Sequence, residues 1–261
     1  MCYTAESGTL AALKYAKYRG DEGIVRKLEA ELKQLSILDD PRFHVSGFAH
    51  PRLLVFTNLQ PYTPQAYWWG LIPAWTKNAA EAKKFWNNTL NARGETIFEK
   101  PSFRAAAKQK RCLIYLDAFY EHHHHNKQTY PFRIALKSGE PMALAGLWEE
   151  WVDRESGEII HSTTIVTTHG NALMQKIHNN PKADGPRMPV ILPREKQNDW
   201  LAPCETENDQ KALIELMQPF PQELLEAHSV AKLLGKEAIA NVKAVEEEVN
   251  YPELQGLLNE Q

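Results

Sequence analysis

The strongest hydrophobic pattern in the chain is a helical stripe near the N-terminus. Four apolar residues recur at three- and four-residue spacing: Ile24, Leu28, Leu32 and Leu35. This spacing predicts an amphipathic helix over residues 21–38 that packs its stripe against the core. Asp21 is a suitable N-cap for the helix, and Pro41 follows two aspartates that end it.

Beyond residue 41 the pattern changes to short apolar segments separated by Pro, Gly and Asn. Predicted strands cover 52–57, 111–116, 132–136, 142–147 and 162–167, and predicted helices cover 79–85, 170–177, 193–200 and 211–217. There is no alternation of strand and helix and no internal repeat. We therefore predict an α+β fold: a single domain over residues 1–245 with a largely antiparallel, barrel-like sheet flanked by helices. Residues 246–261 are predicted to form an acidic C-terminal tail.

The composition is that of an ordinary globular protein, with 43% hydrophobic and 24% charged residues. No run of about 18 apolar residues is present, so no membrane span is expected. The N-terminus lacks the basic and apolar regions of a secretory signal, which favours a cytoplasmic protein. The three cysteines, Cys2, Cys112 and Cys204, fit neither a disulfide framework nor a zinc site, and reduced thiols are expected.

Charge is distributed unevenly along the chain, although the net charge is only −3. Residues 76–111 contain nine Lys/Arg and three acids, whereas residues 205–261 contain twelve acids and four lysines. Such asymmetry is typical of a polyanion-binding face with an acidic remainder, and also of two ordinary solvated surfaces. Charge alone leaves both interpretations open.

The Met1-Cys2 start has distinctive chemistry if Met1 is removed. Cys2 would then carry a free α-amine and a thiol on adjacent carbons. In model peptides the pKa values of these groups are about 8 and about 8.5. The amine can form a Schiff base with an aldehyde, and the thiol can close a five-membered thiazolidine ring. An internal cysteine cannot do this, because its nitrogen belongs to a peptide bond. The alternative is an inert cysteine at an accidental start.

Six further motifs follow Met1-Cys2 in order. They are Trp69–Trp75 (WGLIPAW), Asn91–Thr96 (NARGET), Arg111–Ile114 leading into Asp117–Glu121 (DAFYE), Ala145–Trp148 (AGLW), Thr164–Thr168 (TIVTT), and Ile177-His178 followed by Arg187–Leu192 (RMPVIL). Each motif is weak alone. Together, over roughly residues 1–245, they resemble the SOS-response-associated peptidase (SRAP) family of abasic-site-processing proteins.

The resemblance implies a specific function. Family members bind single-stranded DNA and capture the aldehyde of an abasic site as a thiazolidine cross-link at the N-terminal cysteine, after autoproteolytic removal of the preceding residue. Abasic-site (AP) lyase activity through the Schiff base is compatible with this chemistry. By motif position, the implied catalytic residues are Cys2, Asn91, Glu121 and His178. The implied DNA contacts are Arg93, Trp69, Trp75, Arg104, Lys110 and Arg187.

The residue types suit these implied roles. A carboxyl group at a strand end and an imidazole can transfer protons near neutral pH. Arginine offers a planar fork to phosphate, and aromatic side chains among basic residues suit stacking of unpaired bases. The expected partner is single-stranded DNA containing abasic sites. A monomer is expected, with no cofactor, no metal and no replication-fork partner indicated.

The chain departs from the family pattern in four places. Tyr3-Thr4 stand where the family has Gly-Arg, which removes one expected phosphate contact. His122 replaces a usual Trp, residues 179–186 are an insertion between His178 and Arg187, and the predicted helix 21–38 enlarges the N-terminal region. The run His122–His125 is predicted to be a polar loop rather than a metal site, because adjacent residues on an extended chain alternate faces.

Two other functions remain open from the sequence. One is an N-terminal-nucleophile amidase that uses the Cys2 thiolate with its own amine as base. It predicts turnover of a small amide and no DNA adduct. The other is a non-covalent nucleic-acid-binding module, which predicts salt-dependent binding without any need for Cys2.

Overall fold

A computed structural model describes residues 3–7 and 42–258; Cys2 and the predicted helix over 21–38 lie outside them. The strands in the described residues are β1 (Thr4–Ser7), β2 (Arg42–Ser46), β3 (Arg52–Thr57), β4 (Gln60–Trp69), β5 (Asn91–Arg93), β6 (Arg111–Leu116), β7 (Ala118–His125), β8 (Gln128–Leu136), β9 (Met142–Val152), β10 (Ile159–His169), β11 (Arg187–Pro189) and β12 (Leu225–Ser229). The α-helices are α1 (Ala79–Trp86), α2 (Arg104–Gln109), α3 (Ala172–Ile177), α4 (Arg194–Leu201) and α5 (Glu207–Glu215). None of the helices described here is long and apolar enough to cross a bilayer. The predicted α+β class is confirmed.

Five strands close into a barrel. The order is β10, β4, β3, β6 and β9, and β9 returns to pair with β10. Every pairing in this ring is antiparallel except that of β10 with β4, which is parallel. The short strands β5 and β11 extend the sheet along the far end of β10. The expected barrel-like, largely antiparallel sheet is therefore confirmed.

A second, wholly antiparallel sheet lies beside the barrel in the order β12, β8, β7, β1, β2. The N-terminal strand β1 is an inner strand of this sheet. Thr4 pairs with Ser46 of β2 on one side and with Tyr120 of β7 on the other. Because the β1–β7 pair is antiparallel, Tyr3 lies on the side of Thr4 that faces Glu121 and the end of β7.

Strands β3 and β6 of the barrel are buried on both faces, which explains why 52–57 and 111–116 read as continuous hydrophobic runs. On β3, Leu53 belongs to a buried cluster that also contains Phe119 and Phe132 of the second sheet. Its neighbour Leu54 points into a separate buried cluster that includes Trp200 of α4. One face of the strand thus joins a core shared with the second sheet, and the other joins a core shared with the helices.

A buried guanidinium ties two helix ends to the barrel. Arg111 at the start of β6 is 1% exposed and donates to the carbonyls of Ala107 and Lys108 at the end of α2, each at 2.7 Å. It also donates to Trp200 O at 2.8 Å and to Ala202 O at the end of α4. Burial lowers the pKa of Arg111 from its usual value. Its hydrogen bonds satisfy carbonyls that helix ends leave without intrahelical partners.

The described part of the predicted acidic tail packs on the second sheet. Val249 N–H donates to Ser229 O at 2.8 Å, and the Tyr251 hydroxyl donates to Val230 O at 2.9 Å. Leu254 packs against the same buried cluster as Phe132. Residues 246–258 are thus in contact with the second sheet, and the domain boundary at residue 245 stays a prediction.

Candidate active site

A cavity of about 260 Å³ opens where β1 meets the end of β7. Tyr3, just before β1, and Phe48, in the turn after β2, form part of its wall. Glu121 and His122 of β7 and His178 at the end of α3 also line it. Cys2 lies outside the described residues, and its neighbour Tyr3 lines the cavity. Two predicted catalytic residues, Glu121 and His178, therefore line the same cavity as Tyr3, the residue bonded to Cys2.

Two larger cavities, of about 620 and 850 Å³, lie elsewhere in the described part of the chain. The described residues contain three ion pairs between an imidazole and a carboxylate. Of these pairs, only Glu121–His178 lines one of the three cavities. Paired titratable groups in a cavity are the usual mark of a catalytic site, whereas size alone is not. The smallest of the three is therefore the candidate active site.

Glu121 and His178 form a buried carboxylate–imidazole pair. Glu121 Oε2 lies 3.6 Å from His178 Nδ1, and their side chains are 7% and 6% exposed. β7 supplies the glutamate, whereas His178 is the C-cap of α3, where its backbone N–H donates to Met174 O. The two residues lie 57 positions apart in sequence. A proton can pass between such groups and a substrate held in the cavity.

The backbone of β11 fixes the His178 ring. Nδ1 lies 3.2 Å from Arg187 O and 3.4 Å from Arg187 N, so that either tautomer finds a partner. The Arg187 side chain is 4% exposed and forms a bidentate ion pair with Glu95, with nitrogen–oxygen distances of 3.0 and 2.8 Å. Arg187, predicted as a DNA contact, thus lies buried against Glu95 and supports the imidazole through its backbone.

Asn91 and Arg93 lie on β5, which pairs in parallel with β10. Asn91 is 9% exposed and is absent from the described residues that line the cavity. Arg93 is partly exposed, and its Nη1 lies 2.9 Å from Asp184 Oδ2. Asp184 belongs to the insertion 179–186, so this loop brings its own carboxylate to a predicted phosphate-binding arginine. The ion pair lowers the pKa of Asp184.

The predicted DNA-binding tryptophans occupy different environments. Trp69 is fully buried, and its Nε1 donates to Leu90 O at 2.8 Å, so its ring belongs to the core. Trp75 is 49% exposed and packs edge-on against Phe85. Trp68 is exposed on β4, with the Arg52 guanidinium 5.6 Å from its ring centre. Alternation along a strand could have shown that only one of Trp68 and Trp69 faces the core.

The two remaining predicted contacts are basic side chains near β6. Arg104 is exposed at the start of α2. Lys110 is partly buried, forms an ion pair with Glu149 and lies over the Trp148 ring at 5.3 Å. Arg104 is therefore open to solvent in this structure, and Lys110 has a protein partner.

The histidine run belongs to β7, so the predicted polar loop is wrong. His122–His125 pair with residues 128–131 of β8, and the turn falls at Asn126 and Lys127. His123 Nδ1 lies 2.8 Å from Lys176 O, while the backbone of His124 makes two hydrogen bonds with the Asn179 side chain. In the described residues no group of three potential ligands is placed to hold a metal ion.

His122 should make stability depend on pH. Burial, reinforced by nearby positive charge, lowers the pKa of His122 to about 4. The unfolded chain binds this proton near about pH 6.5. The part of the unfolding free energy that depends on a neutral His122 is therefore fully present above about pH 6.5. It is lost as the pH falls toward 4. We expect about 2 kcal/mol of unfolding free energy to be lost from this group between pH 7 and pH 5.

Urea unfolding of wild type and His122→Gln at pH 7 and pH 5 measures this difference. The variant should lose about 2 kcal/mol less than wild type over the interval, and His125→Gln serves as a matched control at the other end of the run. An equal loss of unfolding free energy in wild type and His122→Gln would show that His122 has the same pKa in the folded and the unfolded protein.

A family comparison identifies the class of protein to which the fold and the Glu121–His178 site belong. A family model described as SOS response associated peptidase (SRAP) matches residues 14–237, and the chain belongs to this family.

Among its relatives, the chain is 42% identical over 168 residues to the abasic site processing protein YoqW of Bacillus subtilis (strain 168), covering 64% of this chain and 69% of that protein. It is 32% identical over 142 residues to the abasic site processing protein HMCES of Xenopus tropicalis, covering 48% of this chain and 40% of that protein. A crystal structure of a protein from Bacteroides thetaiotaomicron superposes with a TM-score of 0.80 at 29% identity, covering 95% of this chain and all of that one.

Proposed function

We propose that this protein processes abasic sites in single-stranded DNA by capturing them covalently at Cys2. The observation that carries the proposal is the Glu121–His178 pair in a cavity bordered by Tyr3, the residue bonded to Cys2. Membership of a family whose relatives include proteins named for abasic site processing supports the same substrate. The amidase and the non-covalent module explain this combination less well.

The proposed reaction begins with the ring-opened sugar of the lesion, which carries an aldehyde. The Cys2 amine adds to the aldehyde carbon and gives a carbinolamine, which loses one water to form an imine. The Cys2 sulfur then adds to the imine carbon while the nitrogen takes up the thiol proton. One carbon–nitrogen bond and one carbon–sulfur bond form, one water leaves, and no oxidant or reductant is needed.

Glu121 and His178 are the proposed proton carriers. Glu121 would take a proton from the Cys2 ammonium and return it to the departing hydroxyl of the carbinolamine. His178 would protonate the sugar ring oxygen as the ring opens. Asn91, buried on β5, would hold the sugar or the Cys2 backbone by hydrogen bonding without changing charge.

The proposed DNA path uses the partly exposed cations and aromatic residues. Arg93, Arg104 and Lys110 would contact phosphates, and Trp75 would stack on an unpaired base. A phosphate bound at Nη1 of Arg93 would compete with Asp184, whose carboxylate lies 2.9 Å from that nitrogen. Binding should therefore be sensitive to salt through both the DNA and the loop.

Two further activities belong to the proposal. The peptide bond between Met1 and Cys2 must be cut to expose the amine, and self-cleavage is consistent with the family description. The imine intermediate also acidifies the sugar carbon next to it, so strand cleavage of the AP-lyase type can compete with ring closure. Strand cleavage depends on the Cys2 amine, which becomes free only after the Met1–Cys2 bond is cut.

The test uses the purified chain and a single-stranded oligonucleotide with one abasic site. The matched control is the same oligonucleotide after borohydride has reduced its aldehyde to an alcohol. We expect a heat-stable adduct only with the unreduced lesion, at the summed mass less one water, and peptide mapping should locate it at Cys2. Intact mass before reaction must show loss of Met1. A protein lacking Met1 that forms no adduct would overturn the proposal.

A further inference from the structure

An aromatic pair stands at the edge of the candidate active site and has no part in the proton transfers. The rings of Tyr3 and Phe48 have centres 5.0 Å apart and are tilted by 34°. Both residues line the cavity that contains Glu121 and His178. Phe48 is 54% exposed, although it is a large apolar side chain. The pair thus leaves an aromatic surface uncovered beside the reacting groups.

The turn that carries Phe48 is held firmly. Gly47 N–H donates to Tyr3 O at 2.7 Å, which ties the turn to β1. The Ser46 hydroxyl accepts from Phe48 N–H at 3.3 Å, and His50 closes the turn in the left-handed conformation. Gly47 is buried against Leu90, so the turn is anchored from below. A ring presented in this way loses little conformational freedom when it binds a ligand.

We propose that the Tyr3–Phe48 pair is a stacking platform for the nucleobase next to the captured abasic site. This inference rests on the proposed function. Tyr3 is bonded to Cys2 and consecutive Cα atoms lie about 3.8 Å apart across a trans peptide, so a sugar captured at Cys2 would be held close to Tyr3. The base of an adjoining nucleotide is then within reach of Phe48.

The chemistry of the surface selects a base over other occupants. A flat π-face suits the flat face of an unpaired base, and stacking of this kind does not depend on hydrogen-bond readout. His50, which follows the turn, is itself stacked on Trp86 at 4.4 Å, and Trp86 meets the exposed Trp68 edge-on. A second aromatic group, which includes Trp68 with Arg52 over its ring, thus begins two residues after Phe48. A chain of unpaired nucleotides fits this succession of rings and positive charge.

The platform predicts a preference among neighbouring bases. Purines offer a larger face than pyrimidines, and a second abasic position offers none. Wild type should therefore capture a lesion flanked by adenine about tenfold faster than one flanked by a second, reduced abasic position, measured below saturation. The capture rate should depend on the neighbouring base on one flank of the lesion only, namely the flank whose base reaches Phe48.

The decisive experiment crosses protein and DNA changes. Adduct formation is timed for wild type, Phe48→Ala and Tyr62→Ala, each with adenine or a reduced abasic position on either flank. Tyr62 is the matched control, since it is 58% exposed and lies outside the residues that line the cavity. Phe48→Ala should abolish the preference for adenine, whereas Tyr62→Ala should retain it.

The outcomes separate this inference from the function on which it rests. Absence of any adduct with wild type would refute the proposed function. A normal wild-type adduct with equal preference in wild type and Phe48→Ala would refute the platform alone. Phe48→Leu, which keeps an apolar side chain without a π-face, should behave like Phe48→Ala; full retention of the preference by Phe48→Leu would assign it to apolar packing and overturn the stacking proposal.

Discussion

Glu121→Gln is expected to slow covalent capture of an abasic site about 10²- to 10³-fold at neutral pH. The amide has nearly the shape of the carboxylate, so the contact with His178, 3.6 Å away in the wild type, should survive. It cannot accept the proton of the Cys2 ammonium or return one to the departing water. Single-turnover kinetics, with protein in excess and adducts resolved by denaturing electrophoresis, measure the rate.

Glu150→Gln is the matched control for this substitution. Glu150 also pairs with an imidazole, His161, at 3.1 Å, but on the barrel surface and outside the candidate active site. Its capture rate should equal that of wild type. If folded Glu121→Gln captured the lesion as fast as wild type, proton transfer would have to be assigned to another group.

Arg111→Met should lower the free energy of unfolding by about 3–5 kcal/mol. The guanidinium donates to four carbonyls at the ends of α2 and α4, and all four would remain near an apolar side chain that has nothing to donate. Release of a buried charge offsets part of this loss. For a domain of this size the melting temperature should fall by about 10 °C.

Chemical denaturation and calorimetry of Arg111→Met measure this loss. Arg154→Met is the matched control, because Arg154 is exposed in the turn between β9 and β10, and it should change stability by less than about 0.5 kcal/mol. A loss below about 1 kcal/mol for Arg111→Met would mean that the helix ends find other donors.

The sequence predicted best those elements whose burial is uniform. The predicted strands 52–57 and 111–116 coincide with β3 and β6, because strands covered on both faces are continuous apolar runs ended by polar residues. β4 was missed: it contains Pro61 and Pro64 and alternates between exposed and buried positions. The second half of β7 was missed for a related reason, since it is a polar run that is strand only through pairing with β8.

The closure of the barrel and the assembly of the site are non-local. The parallel contact of β10 with β4 joins Ser162 to Trp68, and no local pattern specifies that partner. The Glu121–His178 pair was reached through family motifs, since neither residue stands out by spacing or composition. The loop 179–186 was recognised as an insertion, but its contact with Arg93 depends on the folded arrangement of β5 and β11.

The central place of β1 in its sheet also sets an order of events during synthesis. Thr4 leaves the ribosome early, but its partner Tyr120 is made more than a hundred residues later, and His178 later still. Strand β1 therefore has no β7 to pair with until more than a hundred further residues have been made. The Glu121–His178 pair of the candidate active site can form only after translation has passed α3.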